Sequence, residues 1–181
     1  MEARQRLTSA NRYGELWADV YDEEHSFLVP SEAQLSVLAD LAGGGRALEL
    51  GGGTGRVALP LAARGERVEG LHASPSMVAR LRSKPDGQDI PVTIGDMADL
   101  PVDGPFHLVY VVFNTFFALL AQEDQVGCFE RAQVRLASRD RPHGLVGRSC
   151  PACLHLEPWV LGGLAFSKRT SPAMSASSSG N

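Results

Sequence analysis

Cysteines and long apolar runs are scarce in this sequence. Only three cysteines occur among 181 residues, and an odd number fits reduced thiols better than a disulfide framework. The longest apolar stretch, residues 108–121, is too short to span a bilayer and is interrupted by Asn114 and Thr115. The amino-terminal stretch MEARQRLTSANRYGELW lacks the apolar centre of a secretory signal. These absences predict a cytoplasmic protein.

An excess of basic charge is also missing. Lysine and arginine total 17 against 21 acidic residues, which gives a net charge of −4. The basic residues are scattered rather than gathered into a stripe, so the pattern argues against nucleic-acid binding. The apolar fraction of 44% and the charged fraction of 21% are those of a globular protein. The length predicts one domain with a sizeable core.

Three parts of the chain differ in their patterning. Residues 1–42 are predicted to be helical, residues 43–137 to form an α/β core, and residues 138–181 to form an atypical, partly disordered tail. In the first part, Ser31 and Gln34 form a capping box ahead of leucines at positions 35, 38 and 41.

The middle part alternates between strand and helix patterns. RALEL, RVEGL, PVTIG and HLVYVVF read as strands, and the last is continuously apolar, which is typical of a strand covered on both faces. Between them lie helical stretches; one begins with Ser74 as the N-cap and Pro75 at the first helical position. Strands separated by helices predict a doubly wound, mostly parallel sheet.

The last part breaks this rhythm. Residues 138–181 show no strand alternation and end in the low-complexity stretch SPAMSASSSGN. We therefore expect a sheet of four strands that lacks its last ones, and an apolar edge through which the chain could self-associate. A reading-frame shift near residues 132–140, or truncation, would explain the composition. Reading the gene in its other two frames tests this hypothesis.

Cys150 and Cys153 form a Cys-x-x-Cys pair in this tail, with His143 and His155 nearby. A redox motif would need the pair at a helix start after a strand, and neither is predicted. The spacings match no familiar zinc finger. We therefore predict no metal site.

A glycine-rich loop follows the first predicted strand. Glu49, Gly51, Gly53 and Gly55 give the pattern E-x-G-x-G-x-G between a strand and a helix. Such glycines allow a sharp turn and let a ligand approach bare backbone. The competing interpretation is a plain strand-to-helix turn, and three alternating glycines argue against it.

The charge of Glu49 helps to choose the ligand. A pyrophosphate would meet a like charge there, and the dinucleotide fingerprint fails when counted from Gly51 because position 56 is Arg. A cationic ligand is favoured instead. S-adenosyl-L-methionine carries an ammonium and a sulfonium and no phosphate. An NAD(P)-dependent oxidoreductase is the disfavoured alternative.

On these motifs, residues 13–136 resemble the class I S-adenosylmethionine-dependent methyltransferases, a family with a Rossmann-like sheet. The resemblance implies that Glu49 and the glycine loop hold the methionine end of the cofactor. GDMADLP resembles the adenine loop, FHLVYVVFNTFFAL the fourth strand with the loop near the reacting sulfur, and ADVYD a helical lid. The further cofactor-binding residues that it implies are Tyr21, Asp96, Met97 and Phe113. It also implies that Asn114, with Phe113, faces the reacting sulfur.

His72 departs from this pattern. It lies about 20 residues after the first glycine, where a carboxylate for the ribose hydroxyls is expected. A neutral histidine has one acceptor and one donor, so it could keep one such bond. The hypothesis is that His72 weakens cofactor binding by about 1–3 kcal/mol, and that His72→Asp binds more tightly.

Structural interpretations compete with these assignments. Asp96 could cap a turn, Met97 could belong to the core, and Tyr21 could be a packed helix residue. Phe116 and Phe117 are expected in the core. No general base can be named.

The favoured function is methyl transfer from S-adenosyl-L-methionine to an O, N or C nucleophile of a small molecule, without nucleic-acid or membrane partners. The alternative is a catalytically inactive, cofactor-binding remnant.

Overall fold

A computed structural model of the chain describes residues 11–137, 143–146 and 164–168. The helical elements are α1 (residues 11–17), α2 (Tyr21–Glu24), α3 (Glu32–Ala42), α4 (Ala58–Ala62), α5 (Pro75–Arg82), a 3₁₀ turn (Thr115–Ala118) and α6 (Gln122–Arg135). The strands are β1 (Arg46–Leu50), β2 (Arg67–His72), β3 (Val92–Ile94), β4 (Leu108–Val111), β5 (His143–Val146) and β6 (Leu164–Lys168).

The sheet has the strand order β3-β2-β1-β4-β6-β5. The four strands predicted from the sequence are parallel, with β1 between β2 and β4. All four residues of β4 are buried, as its apolar run predicted. Leu48 and Val109 face the core beside α6, whereas Ala47 and Tyr110 face the core beside α3, α4 and α5. Helices therefore cover both faces, and the doubly wound arrangement is confirmed.

Two helix starts follow the sequence signals. The Ser31 hydroxyl accepts a hydrogen bond from the Gln34 amide at 3.2 Å, and the Gln34 side chain accepts one from the Ser31 amide at 2.8 Å. At α5, the Ser74 hydroxyl caps the helix by accepting from the Met77 amide, with Pro75 in the first turn. Both predictions are confirmed.

Of the two phenylalanines predicted in the core, only one is buried. Phe117 is 68% exposed, while Phe116 is buried and packs edge-on against it. Successive side chains of a 3₁₀ turn point about 120° apart, so the adjacent Phe116 and Phe117 cannot both face the core. On α6 the buried residues are Cys128 and Ala132.

The sheet continues beyond its parallel part, in the tail from which no strand was predicted. β6 pairs antiparallel with β4, and β5 pairs antiparallel with β6. The expectation of four strands therefore holds for the parallel part only. Because β6 pairs with the outer side of β4, the apolar edge expected there is covered. Self-association through that edge is therefore no longer expected. Cys150, Cys153 and His155 lie outside the described residues.

Candidate functional site

The predicted site residues lie at the carboxyl edge of the parallel strands. The glycine loop follows β1, His72 ends β2, Asp96 follows β3 and Phe113 follows β4. The connections after β1 and β4 leave toward opposite faces of the sheet, because α4 and α6 pack on opposite sides. Ligands of open α/β sheets bind in the crevice formed at such a switch point.

The three alternating glycines have different surroundings. Gly51, Gly53 and Gly55 all have positive φ, at 70°, 55° and 81°. A Cβ on Gly51 would lie 2.2 Å from Thr115 Cγ2, and one on Gly55 would lie 2.3 Å from Leu81 Cδ1. At Gly53 the nearest atoms would be 3.8 Å away or more. Two glycines thus allow tight packing, and Gly53 leaves bare backbone beside open space.

Glu49 lies beneath this loop and is only 1% exposed. Its carboxylate accepts a hydrogen bond from the Tyr110 hydroxyl at 3.3 Å and another from the Ala58 amide. Burial raises the pKa of Glu49 to about 7, against the opposing effect of the nearby Arg56 charge. The Glu49 side chain therefore stabilises the glycine loop from its buried side. Because its pKa is close to neutral pH, a nearby charged ligand group would decide whether the carboxyl is ionised.

Arg56 is a residue of this site that the sequence analysis missed. Its guanidinium donates to the Leu28 carbonyl and to the Tyr21 hydroxyl, and lies 5.8 Å from the centre of the Phe113 ring. It is also close enough to Glu49 to influence that pKa. The sequence feature that could have identified it is a single basic residue directly after the glycines.

The amino-terminal helices dock on the loop through a polar network. The Thr54 hydroxyl donates to Asp22 at 2.6 Å, and Lys84 donates to Asp22 at 2.9 Å and to the Thr54 carbonyl at 2.8 Å. Glu15 accepts from the Ser74 hydroxyl at 2.9 Å. These contacts hold α1 and α2 over the start of α5 and the glycine loop.

Asp22→Ala should destabilise the fold by about 1–3 kcal/mol, because the fully buried Thr54 hydroxyl would lose its acceptor and Lys84 its carboxylate partner. Urea denaturation measures the change. Glu23→Ala, on the same helix but at an exposed position, is the matched control and should leave stability within about 0.5 kcal/mol. Equal effects of the two variants would contradict the network's role.

Tyr21 lies in this docked segment, half-buried. Its ring stacks on His25 with centroids 4.3 Å apart, and burial raises the pKa of its hydroxyl. The ring of Tyr21 is thus packed as in an ordinary helix residue. Its hydroxyl accepts a hydrogen bond from Arg56 and so lies at the crevice.

Asp96 and Met97 have structural partners. Asp96 is 8% exposed, and its Oδ1 accepts from the Ala98 amide at 2.9 Å, so the carboxylate does cap a turn. Met97 is partly buried and packs against the core beside α6. Both residues still lie at the carboxyl edge of the sheet, after β3.

Phe113 and Asn114 begin the loop after β4. Phe113 has a φ of 59°, unusual for a residue other than glycine, and the residue is 39% exposed. Non-glycine residues in this region of backbone space cluster at functional sites. Asn114 is exposed and precedes the 3₁₀ turn.

His72 reaches toward the glycine loop from the end of β2. Its Nδ1 lies 2.8 Å from the Ser74 amide nitrogen, and its Nε2 lies 4.0 Å from the point where a Cβ of Gly53 would stand. Burial lowers the pKa of His72 to about 4, so the ring is neutral at physiological pH.

Other kinds of site find no support within the described ranges. No three His, Cys, Asp or Glu side chains cluster there in a way that could hold a metal ion. No helix in those same ranges is long and apolar enough to cross a membrane.

A family model described as a methyltransferase domain matches residues 47–138, about half of the chain. The chain therefore belongs to this methyltransferase domain family, and the resemblance drawn from its motifs is confirmed.

Three similar proteins illustrate the relationship. The cypemycin N-terminal methyltransferase of a Streptomyces species is 30% identical over 169 residues, covering 92% of this chain and 60% of that protein. The structure of the CcbJ methyltransferase from Streptomyces caelestis is 30% identical, with a TM-score of 0.59 over 76% of this chain and 64% of that one. The glycopeptide N-methyltransferase MtfA complexed with S-adenosyl-L-methionine is 26% identical, with a TM-score of 0.51 over 57% and 45% of the two chains.

These similarities confirm the predicted Rossmann-like methyltransferase fold. The chain spans less than two thirds of the length of each of these three proteins.

Proposed function

We propose that this chain binds S-adenosyl-L-methionine in the crevice between β1 and β4 and transfers its methyl group to a small-molecule acceptor. The observation that carries the proposal is the open backbone at Gly53, flanked by the opposite charges of Glu49 and Arg56, in a chain of the methyltransferase domain family. A zwitterionic amino-acid group matches such a pair of charges.

The residues of the crevice fit the parts of this cofactor. Arg56 is suited to the methionine carboxylate, because a guanidinium presents several donors to a carboxylate. Glu49 is suited to the ammonium, which would favour its ionised form. His72 is assigned to the ribose, and Asp96 and Met97 to the adenine.

Bound S-adenosyl-L-methionine supplies an activated methyl on a sulfonium; the acceptor gains the methyl and loses a proton, and S-adenosylhomocysteine is left. The protein's contribution is then mainly orientation and exclusion of water. Residues 1–42 would act as a helical lid over the core of residues 43–137, with Tyr21 covering the crevice. Phe113 would form an apolar wall at the exit from β4.

The acceptor is best assigned to an amine of a small natural product or modified peptide. One of the similar proteins is named an N-terminal methyltransferase, and another a glycopeptide N-methyltransferase. A neutral amine is itself a nucleophile, so this acceptor class is compatible with a crevice in which no general base has been assigned.

Calorimetric titration with S-adenosylhomocysteine, with NAD as control, tests the proposal. We expect binding of the former only. Arg56→Met should weaken it by about 10- to 100-fold, the scale of a hydrogen bond between charged groups. Arg64→Met, which removes an arginine paired with Glu32 outside the crevice, should leave the affinity unchanged.

Because Arg56 also bonds Leu28 and Tyr21, the variant needs a second ligand as a control. The decarboxylated analogue of S-adenosylhomocysteine should bind the wild type and Arg56→Met equally. Binding of NAD instead, or no binding by a folded monomer, would overturn the proposal.

The second candidate is the inactive remnant, which the atypical composition of residues 138–181 favours. It predicts binding of S-adenosylhomocysteine without turnover. A screen of small amines with methyl-labelled cofactor separates the two, since incorporation of label into any of them excludes the remnant.

A further inference from the structure

The two ring nitrogens of His72 have different surroundings. Nδ1 lies 2.8 Å from the backbone nitrogen of Ser74, and a backbone N–H can only donate. Nδ1 must therefore be the acceptor and carry no proton. Since a neutral imidazole has one proton, that proton is on Nε2.

The Ser74 amide is held firmly in this orientation. Ser74 is the N-cap of α5 and is completely buried, and its hydroxyl is engaged by both the Met77 amide and Glu15. The amide therefore cannot turn away to release Nδ1. Burial also keeps the ring neutral above about pH 5, because it lowers the pKa of His72 to about 4.

The protonated nitrogen faces the ligand crevice. Nε2 is 4.0 Å from the position of a Cβ on Gly53, the glycine that borders open space. A carboxylate at this end of β2 would be an acceptor for two ribose hydroxyls. His72 offers the opposite, a single N–H donor.

From this geometry we infer that His72 reverses the hydrogen-bond polarity of the ribose subsite, so that the ribose oxygen must accept rather than donate. The inference rests on the proposed binding of an adenosyl ligand. The inferred polarity predicts a class of ligands that should still bind. These are adenosyl compounds in which a ribose hydroxyl is replaced by a group that can accept but cannot donate, such as fluorine. A carboxylate would repel that substituent.

The test is calorimetric titration with S-adenosylhomocysteine and with its analogues in which fluorine replaces the 2′- or the 3′-hydroxyl. The wild type should bind the better-tolerated fluorinated analogue within about tenfold of the parent ligand, because fluorine, although a weak acceptor, does not repel the N–H at Nε2. His72→Asp should bind the parent about tenfold more tightly and should lose about 30-fold or more for that same analogue.

Two further variants separate the donor from the side chain's structural role. His72→Asn keeps an acceptor near the Ser74 amide and removes the donor at Nε2, whereas His72→Gln places an amide N–H near Nε2. We expect Asn to weaken binding of S-adenosylhomocysteine about three- to tenfold, and Gln to stay closer to the wild type.

A measurement on the unaltered protein gives an independent readout. In ¹⁵N–¹H correlation spectra, the His72 ring should show the Nε2–H tautomer, with Nδ1 unprotonated. Observation of the Nδ1–H tautomer would overturn the inference but not the proposed function. The same holds if the wild type rejects both fluorinated analogues as strongly as His72→Asp does. Failure of the wild type to bind S-adenosylhomocysteine at all would overturn the proposed function, and the inference with it.

Discussion

Gly55→Ala should destabilise the fold by about 2–5 kcal/mol, more than any other single methyl added to the glycine loop except at Gly51. Its φ of 81° is unfavourable for alanine, and the new Cβ would lie 2.3 Å from Leu81 Cδ1 and 3.1 Å from Leu59 Cγ. Leu81 is buried in the core beside α3 and α4, so it cannot swing out into solvent. Urea denaturation measures the loss.

Gly53→Ala is the matched control, with a contrasting outcome. Its φ of 55° costs about 1–2 kcal/mol for alanine, but the new methyl would meet nothing closer than 3.8 Å. The variant should therefore stay folded. It should nevertheless bind S-adenosylhomocysteine at least about tenfold more weakly, because the methyl occupies the space beside His72 that bare backbone leaves to the ligand.

The two variants thus test two different roles of the glycine loop. Gly55→Ala tests packing against the core, and Gly53→Ala tests access of the ligand to the backbone. Normal stability of Gly55→Ala would show that the close contact with Leu81 relaxes freely. Normal binding by Gly53→Ala would mean that the ligand does not pass over this part of the loop.

The parts of the molecule that could be predicted from sequence are those determined locally. The capping box of Ser31 and Gln34 and the N-cap at Ser74 depend on residues three positions apart. The glycine loop was recognisable because its conformation needs a specific residue type at fixed positions. The parallel strands followed from apolar runs separated by helices, so the parallel part of the sheet could be derived without long-range information.

The rest depends on contacts between distant segments. Arg56 belongs to the site because it contacts Tyr21, Leu28 and Phe113, which are distant in sequence. No local sequence pattern predicts these contacts. The pairing of β6 with β4 joins residues more than 50 positions apart. The polarity of His72 follows from the position of one backbone amide, which residue type alone does not specify.

The affinity for S-adenosylhomocysteine should rise with pH through the pKa of Glu49, which burial places at about 7 in the free protein. Below that pKa the carboxyl is protonated, and an approaching ammonium must displace the proton before the charges can pair. Affinity should then fall by up to about tenfold for each pH unit below 7, and proton release on binding should approach one. Titration in buffers of different ionisation enthalpy measures both.

Stability of the free protein should respond in the opposite direction. The folded state holds the Glu49 proton more tightly than the unfolded chain, where the pKa is near 4.5. This contribution to stability is complete below about pH 4.5 and is lost as pH rises through about 7, a change of about 3 kcal/mol. Ligand binding therefore becomes stronger over the same range in which Glu49 ionisation destabilises the free protein.

Glu49→Gln isolates both effects, because the amide can still accept from Tyr110 or the Ala58 amide but does not titrate. Between about pH 5.5 and about pH 7.5, its affinity should be nearly independent of pH and weaker than that of the wild type at the upper end. Its stability relative to the wild type should increase over the same interval. Parallel pH profiles for the two proteins would show that Glu49 ionises normally despite its burial, and that the ammonium finds its partner elsewhere in the crevice.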